Sequence, residues 1–195
     1  MAYITGQEIK AELQTGMVST SEFDDLYDTL AATVSTSIDR YCFRTFEVPT
    51  EATARTYRPV RTLCEVDELD DIADTTDLAV SLDSSDSGTY TVSTAWYAET
   101  DNRTGMVTAI RSTGLFPSSC IRPRTIQVTA WFGWPATPDP VKRAALLWAL
   151  RLVNRRQTPA GVMGFGEFGG IRLGTIDPDV KSLLAPYRLR ARLLR

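Results

Sequence analysis

The stretch Thr125–Asn154, TIQVTAWFGWPATPDPVKRAALLWALRLVN, carries the two patterns that decide the fold of this chain. Its first eight residues alternate, with apolar side chains at every even position from 126 to 132, which is typical of a half-buried strand. GWPATPDP then ends the strand, with Asp139 placed to cap the next helix and Pro140 in its first turn. The following residues to Asn154 are apolar nearly all round, which predicts a helix buried on several sides.

The period of two extends over most of the chain from Thr45 to Phe132. Segments rich in Thr, Val, Tyr and Trp alternate there with turn sequences such as Asp83–Gly88 and Asp101–Gly105. Strands joined by such short loops predict an antiparallel sheet or a small sandwich. The predicted strands are ARTYRPV, TLCEV, LAVSL, TYTVS, AWYAE, MVTAI and TIQVTAWF.

The N-terminal residues carry two helix-start signals. Thr5 and Glu8 have the spacing of a capping box, and Ser19 and Glu22 repeat it. The second signal precedes apolar residues spaced by three or four, which predicts an amphipathic helix of about five to six turns. Its apolar stripe is Phe23, Leu26, Leu30, Val34, Ile38 and Tyr41.

Together these patterns predict an α+β fold. Its helical core would combine the long N-terminal amphipathic helix, the apolar C-terminal helix and a short terminal helix, with an antiparallel β-rich subdomain inserted between them. The expected parts are N-terminal helices over 1–44, the β-rich insert over 45–135, the core helix over 136–157, and a glycine-rich arm with the terminal helix over 158–195. At 195 residues, the whole chain fits one domain.

Composition argues against an enzyme. The chain contains no histidine, which removes Ser-His-Asp and Cys-His nucleophile activation and the commonest metal ligand. Three widely spaced cysteines do not form a zinc pattern and indicate reduced thiols. We therefore expect no catalytic residues, no metal and no cofactor. Carboxylate-only hydrolysis stays formally open, but it would need two acids in one pocket. No signal peptide and no membrane span is expected.

Charge divides the chain into two halves. Residues 1–101 hold 20 of the 24 acidic side chains and 6 of the 21 basic ones, a net charge of −14, and residues 102–195 carry +11. Such asymmetry indicates a nucleic acid, an acidic surface or a complementary neighbour as partner. Two solvated faces of one molecule would give the same count, so charge alone does not choose between these interpretations.

The last forty residues combine a glycine-rich arm with a basic end. Gly164–Gly169, GFGEFG, matches the dinucleotide-binding fingerprint but lacks the strand before it and the helix after it, so the match is accidental. Asp177 and Pro178 start a short helix, and LRARLLR ends the chain. An apolar-basic end of this kind fits an acidic groove on another protein, a membrane surface or phosphates.

The segment VTAWFGWPATPDPVKRAALLWALRLVNRRQTPAGVMGFGEFGGIRLGTIDPDVKSLLAPYR resembles the C-terminal half of the head-to-tail adaptor (head–tail connector) proteins of long-tailed actinobacterial phages. TSEFDDLYDTLAATVSTSIDRYCFRTF is similar to that family's first helix. The resemblance implies a structural virion protein, made in the host cytoplasm and located in the neck between capsid and tail. It further implies a dodecameric ring beneath the portal, which meets a tail-completion or stopper protein and surrounds the passing double-stranded DNA.

The resemblance also implies three sets of interaction residues. Negative charge at the start of the N-terminal helix would line the DNA channel at Asp24, Asp25 and Asp28. The apolar core helix would supply the ring interface, at Val141, Ala145, Trp148, Leu152, Arg155 and Arg156. The arm and terminal helix would dock on the portal through Phe165, Phe168, Ile171, Val180, Leu183, Leu184, Tyr187, Arg188, Arg190, Arg192 and Arg195.

Two other functions compete with the adaptor. A different neck or tail-completion protein, such as a stopper, belongs to the same structural class. A DNA-binding packaging factor would use the basic C-terminal half, and it predicts DNA affinity that falls steeply with salt, whereas an adaptor predicts little affinity for free duplex.

Overall fold

The structure is a computed structural model that describes residues 2–13, 23–60, 65–66, 69–85, 87–102, 104–114, 116, 124–157, 162–163, 171–172 and 176–189. The chain divides into two compact units. The helical unit combines Met1–Phe46 with Thr137–Arg195, and the sheet unit is Glu47–Ala136. In chain order the elements are α1 Gly6–Leu13, α2 Asp24–Cys42, β1 Thr53–Tyr57, β2 Pro59–Val60, β3 Glu65–Val66, β4 Ile72–Leu82, β5 Thr91–Ser93, β6 Trp96–Thr100, β7 Val107–Ser112, β8 Ile126–Phe132, α3 Asp139–Gln157, β9 Val162–Met163, β10 Ile171–Arg172, α4 Pro178–Leu184 and a 3₁₀ turn Ala185–Tyr187.

Helix α1 begins at the predicted capping box. The Thr5 backbone N–H donates to Glu8 Oε2 at 2.6 Å, and the Glu8 N–H donates to Thr5 Oγ1 at 3.2 Å. These two bonds satisfy donors that have no partner inside the helix. The prediction at Thr5 is confirmed, and the second predicted box at Ser19 lies outside the described residues.

Helix α2 is rich in Thr and Ser, which are weak helix formers because their hydroxyls compete for backbone groups. Here that competition is resolved within the helix, since Thr29, Thr33 and Ser37 each donate to the carbonyl four residues earlier at 2.8 Å. The buried face of the helix is Ala31, Val34, Ser35, Ile38 and Cys42.

Helix α3 packs through small residues, and helix α4 has a capped start. Ala144, Ala145 and Ala149 of α3 are fully buried, so neighbouring helices can approach closely. At the start of α4, Asp177 Oδ1 accepts the Asp179 N–H at 3.0 Å, and Pro178 occupies the first turn, as the sequence predicts.

The sheet unit is an eight-stranded antiparallel sheet. Its main path runs β1-β8-β4-β7-β3-β2, with β5 paired to β4 and β6 paired to β7. Along β8 the even-numbered residues 126–132 are buried, and Gln127, Thr129 and Trp131 on the other face are half-buried. The predicted alternation is therefore confirmed, and it fixes the register because a one-residue slip would invert both faces.

The predicted fold class is wrong. The described residues form a β-rich fold, because the sheet has its own core of eleven buried residues, among them Ile72, Ile110 and Ile126. The predicted long amphipathic helix does not form as expected either. Phe23, the first residue of its stripe, is 41% exposed and lies before α2, and the buried face of α2 is rotated away from the predicted one towards Ala31 and Cys42.

Candidate interaction surfaces

The C-terminal segment packs on the helical unit. Val180 and Leu184 of α4 are fully buried there, and Leu183 is half-buried. The 3₁₀ turn then brings the Tyr187 ring to 5.8 Å from the Phe46 ring, at an interplanar angle of 84°. Such edge-to-face pairs add about 0.5–1.5 kcal/mol beyond the area they bury. Of the predicted docking residues, Val180 and Leu184 are thus buried inside their own unit, whereas Leu183 and Tyr187 remain partly accessible.

Tyr3 makes a second aromatic contact with the Phe46 ring. Tyr3 lies 5.9 Å from it at an angle of 72°, and the Tyr3 hydroxyl accepts the Phe46 N–H at 2.8 Å while donating to Asp39. The Tyr3 N–H donates to Ser35 Oγ at 2.9 Å. This network connects the N-terminus, α2 and the end of α4 within the helical unit.

Arg188 closes the C-terminal end of α2. Its guanidinium lies 4.4 Å above the Tyr41 ring, and its Nε donates to the Tyr41 carbonyl at 3.1 Å. The Leu189 N–H donates to the Cys42 carbonyl at 2.9 Å. A cation at this position complements the negative end of the helix dipole and satisfies carbonyls that have no intrahelical partner. Arg188 and Leu189, the last described residues, are therefore fixed to the end of α2.

Cys42 is fully buried beneath this closure. Burial raises the pKa of its thiol from 9.0 to about 11, although the positive charges of Arg188 and Arg44 oppose the shift. The thiol therefore stays protonated at neutral pH and packs as a small apolar group. Cys64 and Cys120 lie outside the described residues.

The predicted ring-interface residues divide along α3. Val141 and Ala145 are fully buried in the helical unit, whereas Trp148 and Leu152 are half-buried. Arg155 and Arg156 fall in the last turn of the helix, and their side chains lie outside the described part of the structure. The C-terminal half of α3 is thus the part of this set that presents accessible surface.

The predicted channel residues have different surroundings. Asp24 pairs with Lys10 at 2.8 Å, and Asp28 Oδ1 accepts the Gly6 N–H at 3.1 Å. These two carboxylates tie α1 to α2. Asp25 is exposed on the first turn of α2.

Several predicted docking residues cannot be placed. Ile171 lies in β10, but its side chain lies outside the described part of the structure. The remainder of the set, Phe165, Phe168, Arg190, Arg192 and Arg195, also lies outside the described residues.

The sheet unit carries an open groove that the sequence did not reveal. It has a volume of about 440 Å³, and its walls are mainly apolar. We call it the Trp131 groove, and it is lined by Val48, Pro49, Ala73, Asp74, Thr76, Trp131 and Pro135. The position of Trp131 on the outward face of β8 was visible in the alternation, and this outward aromatic residue was the one available signal.

Acidic groups lie at the Trp131 groove. Asp74 is directly opposite Trp131 in the β4–β8 pairing, and Asp77 Oδ2 accepts the Trp131 Nε1–H at 3.3 Å. The Thr76 N–H and hydroxyl donate to the Asp74 carboxylate at 3.0 and 2.8 Å, and these bonds lower the pKa of Asp74 below its usual value. Asp74 therefore stays anionic at neutral pH.

A second network lies on the core side of the same sheet. Asp70 Oδ2 accepts from Arg55 at 2.8 Å and from the Tyr57 hydroxyl at 2.9 Å, and Arg55 stacks 4.3 Å above Phe132. Burial, with the nearby Asp70 charge adding to it, raises the pKa of Tyr57. The phenol therefore acts as a hydrogen-bond donor that fixes the edge strand β1.

Among the described residues, no group of three or more His, Cys, Asp or Glu side chains could hold a metal ion. Within the same part of the chain, no helix is long and apolar enough to cross a membrane.

No protein-family model and no curated protein sequence matches this chain. The fold is similar to that of a chain in the neck of an empty gene transfer agent (GTA) particle, a structure computed with C6 symmetry. The TM-score is 0.56 at 15% sequence identity, over 95% of this chain and 89% of that chain. The likeness is one of fold, extends over nearly the whole of both chains, and gives no support to the narrower resemblance to actinobacterial phages.

Proposed function

We propose that this protein is a structural subunit of the neck of a phage or phage-like particle, where it joins the head to the tail. The observation that carries this proposal is the shared fold over 95% of the chain with a chain of a GTA particle neck. A neck subunit needs surfaces for its neighbours and no reactive centre, in agreement with a chain that has no histidine.

We further propose that the subunits form a closed ring, with twelve copies as the expected number. The GTA neck was computed with C6 symmetry, which is compatible with either six or twelve copies of a subunit. The accessible C-terminal half of α3, with Trp148 and Leu152, would supply one side of the contact between neighbours. Closed rings use heterologous contacts of this kind, in which two different surfaces meet.

The chain end would dock on the portal protein. Arg188 and Leu189 are fixed at the end of α2, directly before the basic residues 190–195 in the sequence. No acidic residue follows Asp179, so the end carries only positive charge, in the form of five Lys and Arg residues. Such an end suits an acidic surface on the partner, because opposite charges speed association and set the orientation.

The acidic start of α2 would face the DNA channel, most directly through exposed Asp25. Asp24 and Asp28 are engaged with α1, and they would contribute charge without being free to move. Negative charge on the channel wall would repel the phosphate backbone and keep passing DNA from adhering. A tail-completion or stopper protein would complete the neck on the far side.

A null mutant of the particle tests this function. Without this protein we expect filled heads and complete tails that do not join, and supplying the protein in trans should restore joining. Particles that assemble normally without the protein would overturn the proposal. Heads that fail to package DNA would instead favour a packaging factor.

A further inference from the structure

A closed ring needs two different contact surfaces on each subunit, because each copy meets one neighbour on either side. Under the proposed function, the C-terminal half of α3 is one of these two surfaces. The surface of the neighbouring copy that it contacts has not yet been named. The missing surface must differ from α3 and must complement it in both polarity and charge.

The Trp131 groove has the construction of a preformed binding surface. Three chain segments form it, and backbone hydrogen bonds join them: the Gly133 N–H donates to the Asp71 carbonyl and the Trp134 N–H to the Glu47 carbonyl, both at 2.9 Å. The Trp134 Nε1–H adds a bond to Asp71 Oδ2 at 3.1 Å. A groove held in this way loses little conformational entropy when it is filled.

The chemistry of the groove complements α3. The two acids at the groove, Asp74 and Asp77, take part in no salt bridge among the described residues. The sheet unit as a whole holds thirteen acidic and seven basic side chains, a net charge of −6. In the sequence of α3, the half-buried Trp148 and Leu152 are four residues apart, and Arg155 and Arg156 follow Leu152 by three and four residues.

We propose that the Trp131 groove is the second ring surface and that the C-terminal half of α3 of the next copy occupies it. Apolar side chains of α3 lie against Trp131, Pro49 and Pro135, and its arginines face Asp74 and Asp77. This proposal rests on the proposed ring, and it identifies the surface that α3 of the neighbouring copy contacts.

A charge exchange tests this contact under the conditions in which the wild-type chain forms rings. Asp74→Lys, or Arg155→Glu combined with Arg156→Glu, should raise the protein concentration needed for ring assembly at least about tenfold. The combination of all three changes should recover most of that loss. Asp74→Asn removes the charge, and its Oδ1 can still accept the Thr76 N–H although its Nδ2 cannot accept the Thr76 hydroxyl, so it should give a smaller loss of assembly. Ring formation is measured by analytical ultracentrifugation and negative-stain imaging.

Glu51→Lys is the matched control, because it makes the same charge change at an exposed residue of the sheet unit that does not line the groove. Rings that form equally well with Asp74→Lys would overturn the groove contact and leave the neck function intact. The groove contact would also be overturned if Asp74→Lys rings stayed intact but lost binding of another neck protein or of a small ligand. The groove would then be the site of that partner. Wild-type protein that forms no rings, alone or on portal-containing heads, would overturn both proposals.

Discussion

The guanidinium of Arg188 lies 4.4 Å above the ring of Tyr41, and the same side chain donates to the Tyr41 carbonyl. One residue therefore joins the last described turn of the chain to the end of α2, 147 positions earlier. The contact combines a cation–π interaction, a hydrogen bond and a favourable position at the helix dipole. It makes Arg188 part of the fold of the helical unit.

Arg188→Ala should lower the free energy of unfolding by about 1–2 kcal/mol, because it removes the stacking and the hydrogen bond together. It should also increase amide exchange at Leu189, whose N–H depends on the same closure. Arg188→Lys keeps the charge but loses the planar stacking, so an intermediate effect is expected. Urea unfolding and hydrogen exchange measure both changes, and an unchanged exchange rate at Leu189 would contradict the role given to Arg188.

Tyr3→Phe should destabilise the helical unit by about 1–3 kcal/mol, since it leaves the buried Phe46 N–H without its acceptor. Tyr41→Phe is the matched control, because it keeps the ring beneath Arg188 and should change stability by less than about 0.5 kcal/mol. Equal effects of the two substitutions in thermal or urea unfolding would show that the Tyr3 hydroxyl is not a structural acceptor.

Gly133→Ala should destabilise the sheet unit by about 2–4 kcal/mol. Gly133 has a φ of 145°, and a Cβ there would clash with the Glu47 carbonyl oxygen. Gly88→Ala provides the comparison, because its φ of 80° is also left-handed but nothing lies within 4 Å of the added Cβ. It should cost only about 1 kcal/mol. If Gly133→Ala proved no worse than Gly88→Ala in urea unfolding, the close approach at Glu47 would not exist in solution.

Stability should fall as the pH rises from about 9 towards 11, in part because of Cys42. The folded state holds this thiol protonated up to a pKa of about 11, whereas the unfolded thiol ionises near 9.0. The unfolded state therefore binds fewer protons over this interval, and rising pH favours it. Cys42→Ala should reduce the slope of unfolding free energy against pH by removing this contribution. Identical slopes for the two proteins would show that the thiol does not titrate differently on folding.

Local patterns predicted local structure well in this chain. The capping box at Thr5, the Asp177–Pro178 helix start and the alternation along β8 all appear as expected, because each depends on neighbours within a few residues. The Asp83 turn is likewise a polar hairpin turn, in which the carboxylate accepts the N–H groups of Ser87 and Gly88.

Properties that depend on distant residues could not be obtained in the same way. The sequence pattern overstated the helical core, because periodicity does not reveal that the strands bury a core of their own. It also did not reveal the Trp131 groove, whose walls come from residues 48–49, 73–76 and 131–135 and are brought together by sheet pairing and by hydrogen bonds between distant loops. The loop residues Pro49 and Pro135 and the outward-facing Trp131 follow no sequence spacing that would predict that they line one groove.

Imaging this chain together with its cognate portal protein by electron microscopy tests the central claim, that it is a ring-forming neck subunit, most directly. The account predicts a closed ring seated on the portal, with six or twelve copies, and loss of that ring when residues 190–195, which follow the buried α4 and Arg188, are removed. A chain that shows no association with the portal, and instead binds duplex DNA with an affinity that falls steeply with salt, would contradict it.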